Sequence, residues 1–461
     1  MTLIKSISGI RGTIGGNAGE GLSPLDTVKF VSAYGQWIKN NHKETKCKVV
    51  VGRDARISGE MVNHLTVGTL MGLGIDVVNI GMATTPTTEI AVTEENAQGG
   101  IILTASHNPK QWNALKLLNE KGEFLSAEEG KVILDLAEKE NFTYAVVDNL
   151  GEYSERTDIL DIHIQKIIDL PLVDMEAIKK AAFAIAVDAV NSVGGIAIPK
   201  LLKALGVKEV IELYCDATGD FPHNPEPLPE HLTQISKVVK DQKAHLGFVV
   251  DPDVDRLAII NEDGTMFGEE YTLVAVADYI LQNKKGNTVS NLSSSRALRD
   301  ITENHGASYF ASAVGEVNVV KSMKEHDAVI GGEGNGGVIY PDIHYGRDAL
   351  VGIALFLTHL AKSGETCSSL KKYYPQYAII KNKMQLTPEM DVDKVLLAVK
   401  NKYAHHKVLT IDGIKIEFDH GWVHLRKSNT EPIIRIYAES KDAESANKLA
   451  SDVKDEIQKI I

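Results

Sequence analysis

A serine ends one apolar run of this chain and three alternating aspartates end another. Gly100-Ile101-Ile102-Leu103 leads into Thr104-Ala105-Ser106-His107-Asn108-Pro109. The run reads as a buried strand that Pro109 cannot extend, and open α/β sheets bind ligands just beyond the carboxyl ends of their strands. Ser106 therefore sits where a nucleophile acts, although a Ser-His-Asn-Pro turn also closes loops without chemistry. Phe248-Val249-Val250 leads into Asp251-Pro252-Asp253-Val254-Asp255-Arg256. In an extended loop the three carboxylates converge, and without a cation they repel. Their hard oxygens suit Mg²⁺ or Ca²⁺. Glu262 falls at the twelfth position of a calcium loop, but Arg256 stands where such a loop needs glycine, and strand-like runs flank it. The strand-Asp-x-Asp-x-Thr/Val pattern of aspartyl phosphatases is broken by Asp255. A merely solvated acidic loop is the bland alternative.

Three further stretches carry polar groups suited to an anionic, hydroxyl-rich ligand. Arg426-Lys427-Ser428-Asn429-Thr430-Glu431-Pro432-Ile433-Ile434-Arg435 combines two guanidinium forks with hydroxyls and an amide, which is what a phosphate group needs; a charged surface hairpin is the alternative. Glu333 and Asn335, in Gly331-Gly332-Glu333-Gly334-Asn335-Gly336-Gly337, can hydrogen-bond hydroxyls where glycine lets backbone approach closely. Ile7-Ser8-Gly9-Ile10-Arg11-Gly12-Thr13 is either a flexible lead-in or an anion-binding loop with Arg11 as donor. Lys116 lies ten residues after Ser106. Partly desolvated beside cations, it is expected to have a lowered pKa and to move protons. His107 is a base or a donor to phosphate.

Strand patterns position these loops. Lys48 to Arg53, Ile75 to Gly81, Ala184 to Val187, Leu257 to Ile260 and Ala328 to Ile330 join the two runs above. Ser126-Ala127-Glu128-Glu129 is a capping box opening a helix near 126–141. Ile414 to Phe418 and Gly421 to Leu425 read as alternating strands, and 442–461 as an amphipathic helix. Phe221 to Pro229 holds four of the 14 prolines and is neither helix nor central strand. The 461 residues predict three or four domains at roughly 150 residues each: three α/β units, then a smaller α+β domain. The net charge of −13, from 49 basic and 62 acidic residues, disfavours nucleic acid. No apolar run of about 18 residues predicts a membrane span, and Met1-Thr2-Leu3-Ile4-Lys5-Ser6 lacks the apolar core of a signal peptide. Three scattered cysteines fit a reducing cytoplasm.

Taken together, the stretches resemble the α-D-phosphohexomutases along almost the whole chain, and within them the archaeal-type phosphoglucosamine mutases. The motifs are Gly9-Ile10-Arg11-Gly12, Thr104 to Pro109, Asp251 to Arg256, Gly332-Glu333-Gly334-Asn335-Gly336 and Arg426 to Arg435. The resemblance implies four domains around a central cleft: a phosphoserine-bearing domain (1–150), a metal-binding domain (151–253), a sugar-recognition domain (254–370) and a C-terminal phosphate-binding domain (371–461). It implies a phosphoryl group on Ser106 and Mg²⁺ held by that phosphate with Asp251, Asp253 and Asp255. Arg11, Lys116, His107 and Arg256 would face the reacting phosphate, and Glu333 and Asn335 the sugar. Arg426, Ser428, Asn429, Thr430 and Arg435 would hold the other phosphate. The expected reaction interconverts hexose 6-phosphate and 1-phosphate through a hexose 1,6-bisphosphate, with glucosamine phosphate first and glucose or mannose phosphate next. A monomer or homodimer is expected. Many relatives carry a histidine where this chain has Gly337; His344 is its candidate substitute. The rival readings are a Mg²⁺-dependent phosphatase with Asp251 as nucleophile and a sugar-phosphate-binding protein without turnover.

Overall fold

The computed structural model describes residues 1–6, 9–43, 46–385, 391–427 and 433–460. The chain forms two compact units, Met1–Thr272 with Gly336–Ser369, and Leu273–Asn335 with Leu370–Ile461.

The first unit holds two sheets. Strands β1 (Leu3–Ser6), β2 (Gly9–Thr13), β3 (Lys48–Arg53), β4 (Asp76–Met82), β5 (Gly99–Leu103), β6 (Trp112–Leu118) and β7 (Tyr153–Glu155) lie in the order β1-β2-β6-β5-β3-β4-β7. β5, β3, β4 and β7 run parallel, whereas β6 joins β5 antiparallel and β2 in turn joins β6 antiparallel. Because strand side chains alternate, Val49, Val51, Ile101 and Leu103 pack on one face with Phe30 and Tyr34 of the helix Pro24–Asn41. Val50, Val78 and Ile102 pack on the other with Ala91, Val92 and Ile159. Both faces are covered, so β5 is buried throughout. The Ser126 capping box forms as expected: Ser126 Oγ accepts from Glu129 N at 3.2 Å, and Glu129 Oε2 accepts from Ser126 N at 2.7 Å.

The second sheet has the order β11-β10-β8-β9, built from β8 (Ala184–Asp188), β9 (Glu209–Leu213), β10 (Leu246–Val250) and β11 (Leu257–Asn261). β10 is parallel to β8 and antiparallel to β11, so the division expected after residue 253 falls inside a hairpin. The stretch expected as one unit, 254–370, contributes to both compact units. The reason is helix Ala349–Ser363, buried on every side over its first twelve residues. Its Phe356 packs edge-on against Phe248 and Phe267, at 6.3 and 5.2 Å between ring centres. The short strand β15 (Gly337–Ile339) precedes it, after β12 (Asn287–Asn291), β13 (Tyr309–Ser312) and β14 (Ala328–Glu333) of the second unit.

In the second unit, β13 and β14 lie parallel on either side of β12. An antiparallel sheet follows, β16 (Ala378–Gln385), β17 (Lys407–Leu409), β18 (Ile414–Phe418), β19 (Gly421–Lys427) and β20 (Ile433–Ser440), in the order β16-β20-β19-β18-β17. Helix Ala443–Ile460 covers it, burying Ala450, Val453 and Ile457. The four-part α/β architecture with a final α+β segment is as expected. Among the described residues no helix is long and apolar enough to cross a membrane.

Candidate active site

β5 delivers Ser106 and β10 delivers Asp251, each at the carboxyl end of a strand in a parallel array. Ser106 Oγ donates to Asp251 Oδ2 at 2.8 Å, across 145 residues of sequence. Both loops hold non-glycine residues in left-handed backbone, Ser106 at φ 49° and Val254 at φ 64°. For a β-branched residue this is a true outlier, costing about 1–3 kcal/mol that the surrounding packing must offset.

Arg56 holds the serine loop from beneath. Its fully buried guanidinium donates to the carbonyls of Ser106 (2.5 Å), Asn108 (2.6 Å), Pro109 (2.8 Å) and Trp112 (3.0 Å). Asp54 pairs with Arg56 Nε at 3.0 Å and accepts from Thr104 Oγ1 at 2.7 Å. Thr104 Oγ1 in turn accepts from Ser106 N at 2.9 Å.

Asp251, Asp253 and Asp255 are all fully buried, with one carboxylate oxygen of each within 4.8 Å of the others. Asp251 Oδ1 accepts from the amides of Asp255 and Arg256. Asp253 Oδ2 accepts from Thr85 Oγ1 (2.6 Å) and Lys116 Nζ (2.7 Å). Thr85 opens the helix Thr85–Glu94, whose positive end faces this carboxylate. Asp255 Oδ2 accepts from Arg347 (2.7 Å) and Lys116 (3.4 Å). Asp253 Oδ1 and Asp255 Oδ1 remain buried without a hydrogen-bond partner. Burial first, then the charges of Asp255 and Asp253, push the Asp251 carboxyl well above its ordinary range. Burial would raise Asp253 too, but Lys116 and Thr85 hold it below. Two orphaned oxygens within a buried three-carboxylate cluster fit a hard divalent cation.

Lys116 departs from expectation. Burial alone would lower its pKa, but Asp253 and Asp255 outweigh burial and raise it, so it is an ammonium donor rather than a ready base. Arg11 lies on β2 rather than in a loop and donates to Asn108 Oδ1 at 2.8 Å. His107 Nδ1 is 3.3 Å from Ser106 Oγ. Burial, then Arg256 and Arg11, hold its pKa well below 6.5. Arg256 Nε has no hydrogen-bond partner, and Arg256 otherwise stands 3.8 Å from Glu226. His344, the candidate substitute for the histidine that Gly337 lacks, is held by two carboxylates. It is buried between Glu89 (3.2 Å) and Asp348 (3.3 Å), and Asp348 also binds His163 at 2.9 Å. Burial would lower the His344 pKa, but the two carboxylates raise it to about 10. Arg347, three residues on, was not singled out from the sequence, nor were Arg56 and Thr85. The one sequence signal for Arg56 is Asp54, two residues before it. Arg53 donates to the Asp54 carbonyl.

In the second unit Glu333 ends β14, buried, its Oε1 accepting from Asn291 Nδ2 (2.8 Å) and Gly315 N (3.1 Å). Asn335 is half-buried in the following turn. Arg426 and Arg435 are direct cross-strand partners on β19 and β20. Two like charges opposite each other cost stability unless an anion offsets them, and Asp412 Oδ2 stands 2.8 Å from Arg426 Nε. Ser428, Asn429 and Thr430 lie outside the described residues.

Four segments match the family descriptions "Phosphoglucomutase/phosphomannomutase" alpha/beta/alpha domains I (residues 3–144), II (161–264) and III (268–377), and C-terminal domain (381–456). A Thermococcus kodakarensis protein named phosphoglucomutase/phosphomannomutase is 37% identical over 441 residues, 95% of this chain and 96% of its own. A Methanopyrus kandleri protein named probable phosphoglucosamine mutase is 30% identical over 98% of this chain and 97% of its own. The crystal structure of a phosphoglucomutase/phosphomannomutase family protein from Burkholderia thailandensis superposes with a TM-score of 0.85 at 26% identity, covering 100% of this chain and 98% of that one.

Proposed function

The chain belongs to the phosphoglucomutase/phosphomannomutase family, an enzyme family, and from that premise we propose that it interconverts hexose 6-phosphate and hexose 1-phosphate. The observation that carries this reading is Ser106 Oγ seated on Asp251 within a buried carboxylate cluster that leaves two oxygens without partners. Ser106 carries the transferable phosphoryl group. Its P–Oγ bond breaks as a bond forms to a sugar hydroxyl oxygen, and the hydroxyl proton ends on Oγ. The resulting bisphosphate turns over and returns its other phosphoryl group to Ser106. Asp251, Asp253, Asp255 and the phosphorylated Ser106 would hold Mg²⁺, which neutralises charge on the transferring group. Arg256, Arg11, Lys116 and His107 line the reacting phosphate, and in-line transfer depends on such positioned cations. Arg347 offsets the charge of Asp255. Glu333 and Asn335 take the sugar hydroxyls, while Arg426 and Arg435 take the other phosphate together with Ser428, Asn429 and Thr430.

Glucosamine phosphate is the proposed first substrate, supported by the Asn335-Gly336-Gly337 form of the sugar loop and the name of the Methanopyrus relative. Glucose and mannose phosphates follow, supported by the name of the Thermococcus relative. The test is ³¹P NMR of the protein with Mg²⁺, a trace of hexose bisphosphate and each 6-phosphate in turn. Conversion to 1-phosphate, fastest for glucosamine, is expected. Free phosphate without isomerisation would replace this reading with a phosphatase acting through Asp251.

A further inference from the structure

Asp412 takes no part in the reading above, yet it joins the two binding groups of the second unit. It lies in the turn between β17 and β18. Gly413, at φ 64°, makes that turn tight enough that a Cβ there would stand 2.1 Å from the Leu425 carbonyl oxygen. One carboxylate oxygen, Asp412 Oδ2, does two things. It accepts from the Val314 amide at 3.1 Å and stands 2.8 Å from Arg426 Nε. The next amide, Gly315 N, donates to Glu333 Oε1. Consecutive peptide N–H groups thus bind the two carboxylates, and the chain of contacts runs unbroken from Arg426 through Asp412, Val314 and Gly315 to Glu333.

The Asp412 turn is itself anchored. His424 Nε2 is 2.7 Å from the Asp412 carbonyl and His424 Nδ1 is 3.0 Å from Ser293 Oγ. Burial lowers the His424 pKa to about 4, so the ring is neutral near pH 7. A carbonyl can only accept, so Nε2 bears the proton and Nδ1 accepts from Ser293. Ser294 Oγ then receives the Gly334 amide at 3.0 Å, which gives a second route from the same turn to the loop that carries Glu333.

We propose that Asp412 is a positioning residue that fixes the Arg426 guanidinium relative to Glu333, so that the phosphate and the sugar hydroxyls of one hexose phosphate are gripped at a set separation. The proposal rests on the substrate reading above. Neutralising Asp412 leaves the turn in place but frees Arg426 and Val314 to move apart, so the two grips no longer reinforce each other. The loss appears in ground-state binding rather than in phosphoryl transfer, because the contacts of Asp412 described above run to the two binding groups, Arg426 and Glu333.

The experiment is a double-mutant cycle on the full chain with Asp412→Asn, Glu333→Gln and both. Affinities for inorganic phosphate and for glucosamine 6-phosphate are read by calorimetry, and kcat and KM by the isomerisation assay. Asp412→Asn is expected to weaken glucosamine 6-phosphate about tenfold, near 1.4 kcal/mol, with kcat within about twofold and inorganic phosphate weakened less. Added to Glu333→Gln it should cost clearly less than the product of the single effects, since the coupling is already gone. Strictly multiplicative effects, or a fall in kcat at unchanged KM, would overturn the proposal. If Asp412→Asn lowers the melting temperature, Arg426→Gln replaces it in the same cycle and the same non-additivity is expected. Absence of isomerisation in the unaltered protein would refute the proposed function alone, because the affinity cycle still decides the role of Asp412.

Discussion

Around Ser106, three fully buried aspartates face Lys116 and Arg347, with Arg11 and Arg256 near enough to bias one another's charge. Around Glu333, one buried carboxylate is held by an amide side chain and a backbone N–H, and the two arginines of β19 and β20 are only half-buried. The first arrangement concentrates charge in a low dielectric, where each ionic contact is strong and each missing counter-ion costly. The second spreads its carboxylate contacts over several loops and leaves its arginines half-buried. Groups of the first kind suit a step in which charge moves, because they are already oriented when it does. Groups of the second kind suit a ligand that must bind, turn over and leave.

On this contrast, substitutions in the first region act on kcat and those in the second on KM. The largest effect is expected from Ser106→Ala, which removes the proposed phosphoryl carrier and should lower isomerisation by about a thousandfold or more on the scale of lost covalent catalysis. ³¹P NMR reads it, and full activity in that variant would end the phosphoserine mechanism. Chelation of divalent ions should silence the enzyme reversibly. Adding Mg²⁺ back should raise the melting temperature, as a ligand of the folded state must, whereas Asp253→Asn should blunt that rise.

Next in size, Arg347→Met leaves Asp255 buried beside one cation fewer. A kcat loss of about ten- to a hundredfold is expected, the range for removing one stabilising charge, with KM little changed. A pure KM effect there would erase the contrast between the regions. Arg435→Ala should do the reverse, raising KM about tenfold, equivalent to roughly 1.4 kcal/mol, at nearly constant kcat.

The last expectation concerns stability rather than activity and depends on pH. His424 has its pKa lowered from 6.5 to about 4 by burial, so below pH 6.5 the unfolded chain binds the proton more readily than the folded one. Its stabilising contribution is therefore whole above pH 6.5, falls as pH drops toward 4, and falls no further below that. Denaturant titrations of the protein and of His424→Gln should converge as the pH is lowered across that window. Parallel curves would show that His424 does not titrate as a buried neutral group.

Much of this was legible in the sequence because it is local. Alternating or continuous apolar runs specify strands through side-chain period, and β3, β5, β10 and β18 lie where such runs predict them. The Ser126 capping box needs only the spacing of two residues, and three aspartates on alternate positions converge in any extended loop. The order of the polar loops along the chain sufficed to place it in a family. What sequence could not supply was the partner of each charge. Whether Lys116 is a base or an ammonium depends on Asp253 and Asp255, 137 and 139 residues away. Arg347 meets Asp255 across 92 residues, and His344 is committed to Glu89 and Asp348. Helix Ala349–Ser363, which carries Arg347 at its entrance, belongs to the compact unit of the first two sheets, with Phe356 against Phe248 of β10. Backbone geometry and polarity act over a few residues, so the chain alone determined its strands, its caps and the chemistry available in each loop. Electrostatic energy depends on distance and burial, which only packing decides, and the protonation and pairing of those same groups therefore belong to the tertiary structure.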